Sequence, residues 1–286
     1  MTKYFSEDRS VDVVNARMGG EINPRLREVV TSLVSHLHAF AKEVELTQAE
    51  WDLAIDFLTR TGQICTEERQ EFILLSDVLG LSMLVDAICN RRPDGATENT
   101  VFGPFHVANA PMREFGDTIS LDGKGESCLF AGRVLDLEGN PIAGACVDVW
   151  SDNSDGYYDV QQPDIQPKWN NRGRFMSRED GSYSFVGIKP VSYPIPDDGP
   201  VGKLLTSLGR HPYRPAHMHF LVTAEGYDTI VTHTFVGDDD YIGDDTVFGV
   251  KASLVAPFIR NETGTTEWRS DYDFVMVPAR NGGASA

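Results

Sequence analysis

The hydrophobic period of this chain changes partway along, and that change limits the possible folds more than any other feature. From Ile22 to about Arg92 the period is helical. In "NPRLREVVTSLVSHLHAFAKEV", Asn23 reads as an N-cap and Pro24 as the first helical residue. Leu26, Val29, Val30, Leu33, Leu37, Phe40 and Val44 then recur at spacings of three and four and form one apolar stripe. Thr47 and Glu50 read as a capping box before a second helix with Trp51, Leu53, Ala54, Phe57 and Leu58. A third helical stretch, "ERQEFILLSDVLGLSMLVDAICN", ends at the breaker-rich "RRPDGATENT". After about Leu121 the period falls to two, and turn signals separate short β-prone runs. "CLFAGRVLDLEGNPIAGACVDVWS" reads as strand, turn and strand around Gly139, Asn140 and Pro141. "GRFMSREDGSYSFVGI" reads as a hairpin turning at Asp180 and Gly181, and "HMHFLVTAEGYDTIVTHTFVG" as another turning at Glu225 and Gly226. "DFVMVP" closes the series. The expected fold is mainly β: an N-terminal helical domain over residues 1–100, then an antiparallel β-sandwich over residues 101–286.

Whole-chain totals exclude some partners. With 43 acidic against 25 basic residues the formal net charge is −18, which argues against nucleic acid or an anionic membrane surface. No apolar run approaches the roughly 20 residues of a membrane span, and "MTKYFSEDRS" lacks the apolar core of a secretory signal. Cys65, Cys89, Cys128 and Cys146 are scattered with no CxxC pair, so neither disulfides nor a thiolate metal site is expected. A reduced cytoplasm is the expected compartment.

Two His-x-His pairs need separating. His36 and His38 lie on a predicted helix, where residues two apart diverge, so they are expected to be ordinary surface or half-buried residues. His217 and His219, in "RPAHMHF", lie on a predicted strand, where residues two apart share a face and can meet one metal. From the pair alone, an ordinary strand face with two hydrogen-bonded histidines explains the spacing as well. Upstream, "DNSDGYYDVQQPD" and "KPVSYPIPDDGP" carry tyrosines in turn-rich segments, each of which alone would be loop packing.

The order Tyr, Tyr, His-x-His on a β-sandwich, together with "DGYYDVQQPD", "RGRF", "VSYPIPDDGP", "LGRHPYRPAHMHF" and "GPFHVANAP", resembles the intradiol ring-cleavage dioxygenases. The likeness runs from the helical segment to near the C-terminus and is strongest to the branch acting on hydroxyquinol, benzene-1,2,4-triol. It implies non-haem Fe(III) held by Tyr158, Tyr193, His217 and His219, with Tyr158 chosen over Tyr157 because the ligand falls two residues after Gly156. Phenolate is a hard anionic donor, and two of them with two imidazoles suit Fe(III), whereas zinc rarely takes tyrosine.

The resemblance further implies that Tyr193 leaves the metal when substrate binds and takes a substrate proton, and that Arg214 stabilises negative charge on the ring. His233 stands where catechol-cleaving relatives carry glutamine. Leu74, Asp77, Val101, Phe102, Gly103, Phe105, Ile195 and Pro196, with Arg214 and His233, would line the substrate pocket. Asp77, in "LLSDVLG", stands where those relatives carry an apolar residue, and it would accept a hydrogen bond from the third hydroxyl of the triol. The implied reaction uses O2 to cleave hydroxyquinol between its 1- and 2-hydroxyls, giving 3-hydroxy-cis,cis-muconate, the tautomer of maleylacetate. Catechol or chlorocatechol cleavage is the alternative within the family. A non-catalytic β-sandwich module with a structural metal is the alternative outside it. Relatives dimerise through the N-terminal helices around a lipid-like amphiphile, so a homodimer with a bound phospholipid is also implied.

Overall fold

The protein is described by a computed structural model over residues 4–67, 69–262 and 264–279. Its first compact unit runs to Gln63 and contains α1 (Ser10–Asn15), α2 (Pro24–Glu43) and α3 (Gln48–Gln63). The cap of α2 forms as its sequence requires: the Asn23 side chain accepts from the N–H groups of Arg25 and Leu26 at 2.9 and 3.2 Å. At α3, the Thr47 N–H donates to Glu50 at 2.9 Å and the Glu50 N–H donates back to the Thr47 hydroxyl at 3.3 Å, which completes the capping box.

The second unit begins at Ile64. The third helical stretch is not one helix but two, α4 (Glu71–Val78) and α5 (Leu81–Cys89), bent 80° apart. Gly80 between them has φ +73°, a conformation that costs glycine little and other residues more, so the apolar period continues while the axis turns. No single helix among the described residues is long and apolar enough to cross a membrane.

The strands are β1 (Ser127–Leu135), β2 (Cys146–Trp150), β3 (Arg172–Met176), β4 (Ser182–Ile188), β5 (Tyr193–Pro194), β6 (Tyr213–Arg214), β7 (His217–Thr223), β8 (Ile230–Val236), β9 (Val255–Ala256), β10 (Ile259–Arg260), β11 (Trp268–Asp271) and β12 (Phe274–Val275), with α6 (Pro200–Ser207) between β5 and β6. One five-stranded sheet is built on β1, which pairs with β4, β11 and β12; the other runs β3-β2-β7-β8-β9. Both are mixed. The long pairs β1–β4, β2–β3, β2–β7 and β7–β8 are antiparallel as expected, while the short strands β11 and β12 lie parallel to β1, and β9 parallel to β8.

The hairpin at Glu225 and Gly226 joins β7 to β8. The turn at Asp180 and Gly181 also forms, with Gly181 at φ +76°, but its flanking strands do not pair. There β3 joins β2 in one sheet and β4 joins β1 in the other, so the turn is a corner between sheets. Between the sheets lies a core of Cys128, Phe130, Val134, Val147, Val149, Phe175, Tyr183, Phe185, Met218, Phe220, Val222 and Phe274. Strand alternation then sends Trp150, His217, His219 and His233 to the other face of the second sheet.

Candidate metal centre

Four side chains from three stretches of chain converge on that face. His217 and His219 project from β7. Tyr193 opens β5 and pairs in register with Arg214 of β6. Tyr158 follows a tight turn in which Gly156, at φ +81°, lies so close to Tyr193 that an added Cβ would stand 3.0 Å from its Cβ. Of the adjacent tyrosines in that loop, Tyr158 is fully buried and Tyr157 is 47% exposed, so the structure brings Tyr158 to the site.

The Tyr158 hydroxyl lies 2.9 Å from His219 Nε2 and 3.3 Å from the Tyr193 hydroxyl. The Tyr193 hydroxyl lies 3.3 Å from His217 Nε2, which is 3.2 Å from His219 Nε2. Donors at these separations can all reach one ion at bond lengths of roughly 2.0–2.1 Å. The His217 ring is oriented by its Nδ1, 2.7 Å from the Pro215 carbonyl; donation there leaves the Nε2 lone pair facing the centre.

Burial sets the charge of the set. It is the main cause that raises both tyrosine hydroxyls above their usual range, with each tyrosine's neighbours adding smaller effects. Burial, then the Arg214 charge, lowers His217 to about 3; burial, then His217, lowers His219 well below the usual histidine value. Two neutral phenols and two neutral imidazoles make a centre whose phenolic protons a cation can displace.

Arg214 is buried beside this set. Its Nε and Nη2 donate to the two carboxylate oxygens of Asp245, each at 3.2 Å, and its Nη1 lies 3.1 Å from His217 Nε2. Burial works against its charge, but Asp245 and the two tyrosines outweigh that and keep it firmly cationic. His219 is sandwiched by its neighbours in register: the Trp150 ring stacks on it at 4.7 Å, and His233 meets it edge-on at 4.1 Å. His217, His219 and His233 also form a group of three whose candidate ligand atoms lie within 4.8 Å of one another. His233 approaches the Val101 backbone, but neither of its ring nitrogens reaches a normal hydrogen bond.

The structure places the other residues expected to line a substrate pocket as follows. Gly103, at φ +77°, leaves room that an added Cβ would close to 2.9 Å from the His219 ring. The Phe105 ring stacks on Tyr158 at 4.5 Å. Phe102 packs on His106 and Trp150 at 4.8 and 5.7 Å. Ile195 is buried after Tyr193, and Pro196 is exposed. Leu74 and Asp77 sit half-buried one turn apart on α4. The Asp77 carboxyl is raised by burial and partly restored by the Ser82 side chain and the Arg214 charge. Sequence reasoning missed Asp245, Trp150 and Asp152. Asp152 is a fully buried carboxyl, raised well above its usual range by desolvation. Strand alternation ahead of "DNSDGYY" could have found Trp150; nothing distinguishes Asp245 from the acids around it.

A family model described as "Dioxygenase" matches residues 101–278, and one described as "Catechol dioxygenase N terminus" matches residues 23–97. The chain is 55% identical to a hydroxyquinol 1,2-dioxygenase of Rhizobium sp., with 96% of each chain covered. It is 50% identical to a 6-chlorohydroxyquinol 1,2-dioxygenase of Cupriavidus pinatubonensis, covering 96% of this chain and 98% of that one. The crystal structure of a hydroxyquinol 1,2-dioxygenase from Pseudomonas putida superposes with a TM-score of 0.89 at 46% identity, covering 96% and 97% of the two chains.

Proposed function

The chain belongs to the intradiol ring-cleavage dioxygenases, and on that premise we propose that it cleaves hydroxyquinol with O2 to 3-hydroxy-cis,cis-muconate, using Fe(III) held by Tyr158, Tyr193, His217 and His219. The observation that carries this reading is the closed set of two phenol oxygens and two imidazole nitrogens at 2.9–3.3 Å. The donors fit the ion: hard phenolates favour ferric over ferrous iron, and the neutral imidazoles complete an O/N set. Bound there, Fe(III) would accept the substrate's vicinal oxygens and the electron density of its ring.

The chain's own residues do the rest. Tyr193 is the hydroxyl beside Arg214, and its oxygen takes a substrate proton as the diol binds. Arg214, fixed by Asp245, holds a permanent positive charge where the ring gains negative charge. The Gly103 backbone packs against the His219 ring and the Phe105 ring stacks on Tyr158, which fixes the orientation of both ligand rings. Asp77, already held by the Ser82 side chain, accepts a further hydrogen bond from the third hydroxyl of the triol, which catechol lacks. By sequence the helical domain runs to residue 100 and the catalytic domain from 101, although α4 and α5 lie in the second compact unit, and the protein is cytoplasmic. The exposed α2 stripe of Leu26, Val29, Leu33, Leu37 and Phe40 supports a homodimer through this helix, with an amphiphile such as a phospholipid between the copies.

The test is oxygen uptake by the iron-loaded protein with the triol and with catechol, and product identification. Faster turnover of the triol to the ring-opened dicarboxylate is expected. A higher catalytic efficiency on catechol would overturn the substrate, and no oxygen uptake on either would overturn the reaction.

A further inference from the structure

We propose that Arg210 is a positioning residue for substrate discrimination, holding the helix that carries Asp77 at a fixed distance from the loop that orients Arg214. This rests on the reading of Asp77 as the acceptor for the third hydroxyl. Arg210 lies just after α6, where its N–H donates to the Leu205 carbonyl at 2.9 Å past Gly209 at φ +68°. Its side chain spans two elements. Nη1 donates to the Val78 carbonyl at 2.6 Å, and Nη2 donates to the Thr246 carbonyl at 2.7 Å.

Each carbonyl is one residue from a pocket group. Val78 ends α4 directly after Asp77, and as a C-terminal helix carbonyl it has no partner within the helix. Thr246 directly follows Asp245, the carboxylate that grips Arg214 with both oxygens. The fork of Arg210 therefore bridges the Asp77 wall and the Arg214 wall of one pocket. The same guanidinium lies 4.9 Å over the Phe248 ring, and Phe248 (φ +60°) packs on the α4–α5 turn, where a Cβ on Gly80 would stand 3.4 Å from the ring. The other end of α4 is tied to the same helix: buried Glu71 accepts from the Val201 N–H at 3.1 Å and from Arg69 at 2.9 Å. α6 and the arginine after it thus hold α4 at both ends. A lysine offers one nitrogen where Arg210 uses two in a rigid fork, so it holds the two carbonyls less firmly.

Specificity should follow this spacing. The hydrogen bond that Asp77 accepts is sensitive to its distance from the ring, while metal binding depends on other residues. The test compares Arg210→Met and Arg210→Lys with the unaltered protein, each also in an Asp77→Ala background. The readouts are the triol-to-catechol ratio of kcat/KM, the Kd of each compound from anaerobic titration, and iron content. Arg210→Met is expected to keep its iron and to lose roughly three- to tenfold of the ratio, a part of what one charge-assisted hydrogen bond supplies. Arg210→Lys should lose less. In the Asp77→Ala background Arg210→Met should change the ratio no further, because the two residues act as one unit.

An unchanged ratio in iron-loaded Arg210→Met overturns the proposal, as does an equal fall in both backgrounds. Should Arg210→Met not fold, Arg210→Lys and Glu71→Gln carry the same criterion. An unchanged ratio in Asp77→Ala alone overturns the reading of Asp77, and the clamp with it, whatever the Arg210 variants do.

Discussion

The chain contains two His-x-His pairs with identical spacing and opposite surroundings. His36 and His38 are on α2, where two positions turn through about 200°. His36 is exposed, and the ring near His38 is Phe5, at 6.5 Å. His217 and His219 are on β7, share one face, and have Nε2 atoms 3.2 Å apart with a tyrosine hydroxyl on each. Spacing therefore has meaning only once the period of the element is known. What converts a shared face into a centre is the neighbouring strands: β2 and β8 supply Trp150 and His233 in register with His219, and β6 supplies Arg214 beside Tyr193.

The largest losses are expected at the β7 pair. His217→Ala or His219→Ala should remove bound iron and lower activity by well over a hundredfold, beyond what loss of an outer-shell partner causes. His36→Ala and His38→Ala should leave both unchanged. Iron retained at full occupancy in either β7 variant would remove the distinction between the two pairs.

The adjacent tyrosines sharpen the same contrast between buried and exposed copies of one residue type. Tyr158→Phe should weaken iron binding and strip much of the visible charge-transfer absorption, and Tyr157→Phe should do neither. The reverse result would move the ligand to the exposed ring.

A smaller effect is expected at Asp77. Asp77→Ala should cut the triol-to-catechol preference by about ten- to hundredfold, the value of one hydrogen bond to a charged acceptor. The smallest effect on chemistry is expected in the helical unit. Leu37→Glu in the exposed α2 stripe should shift sedimentation from dimer to monomer and leave iron content untouched. A wild-type monomer at micromolar concentration would contradict the proposed interface.

Local rules were legible where they are local. The Asn23 cap, the Thr47–Glu50 box and the β7–β8 hairpin depend on residues a few positions apart, and each forms as read. The turn at Gly181 was legible too, but not the destination of its strands, since pairing of β3 with β2 and β4 with β1 is decided by long-range burial. The break at Gly80 was hidden because the apolar period runs through it. Within the site, His217 and His219 could be placed on one face from periodicity, whereas Tyr158 and Tyr193 needed the family resemblance, because loops have no period to read. Asp245 and Arg210 act through contacts 31 and 132 residues away in sequence, beyond any local signal.

Titration of Fe(III) into metal-free protein, with the visible spectrum recorded, tests the four-donor centre. Saturation at one iron per chain is expected, with a tyrosinate-to-iron charge-transfer band that grows in step and shifts when the triol is added without oxygen. Stoichiometric binding without that band would mean a centre built from His217, His219 and His233 alone, and would contradict the four-donor assignment.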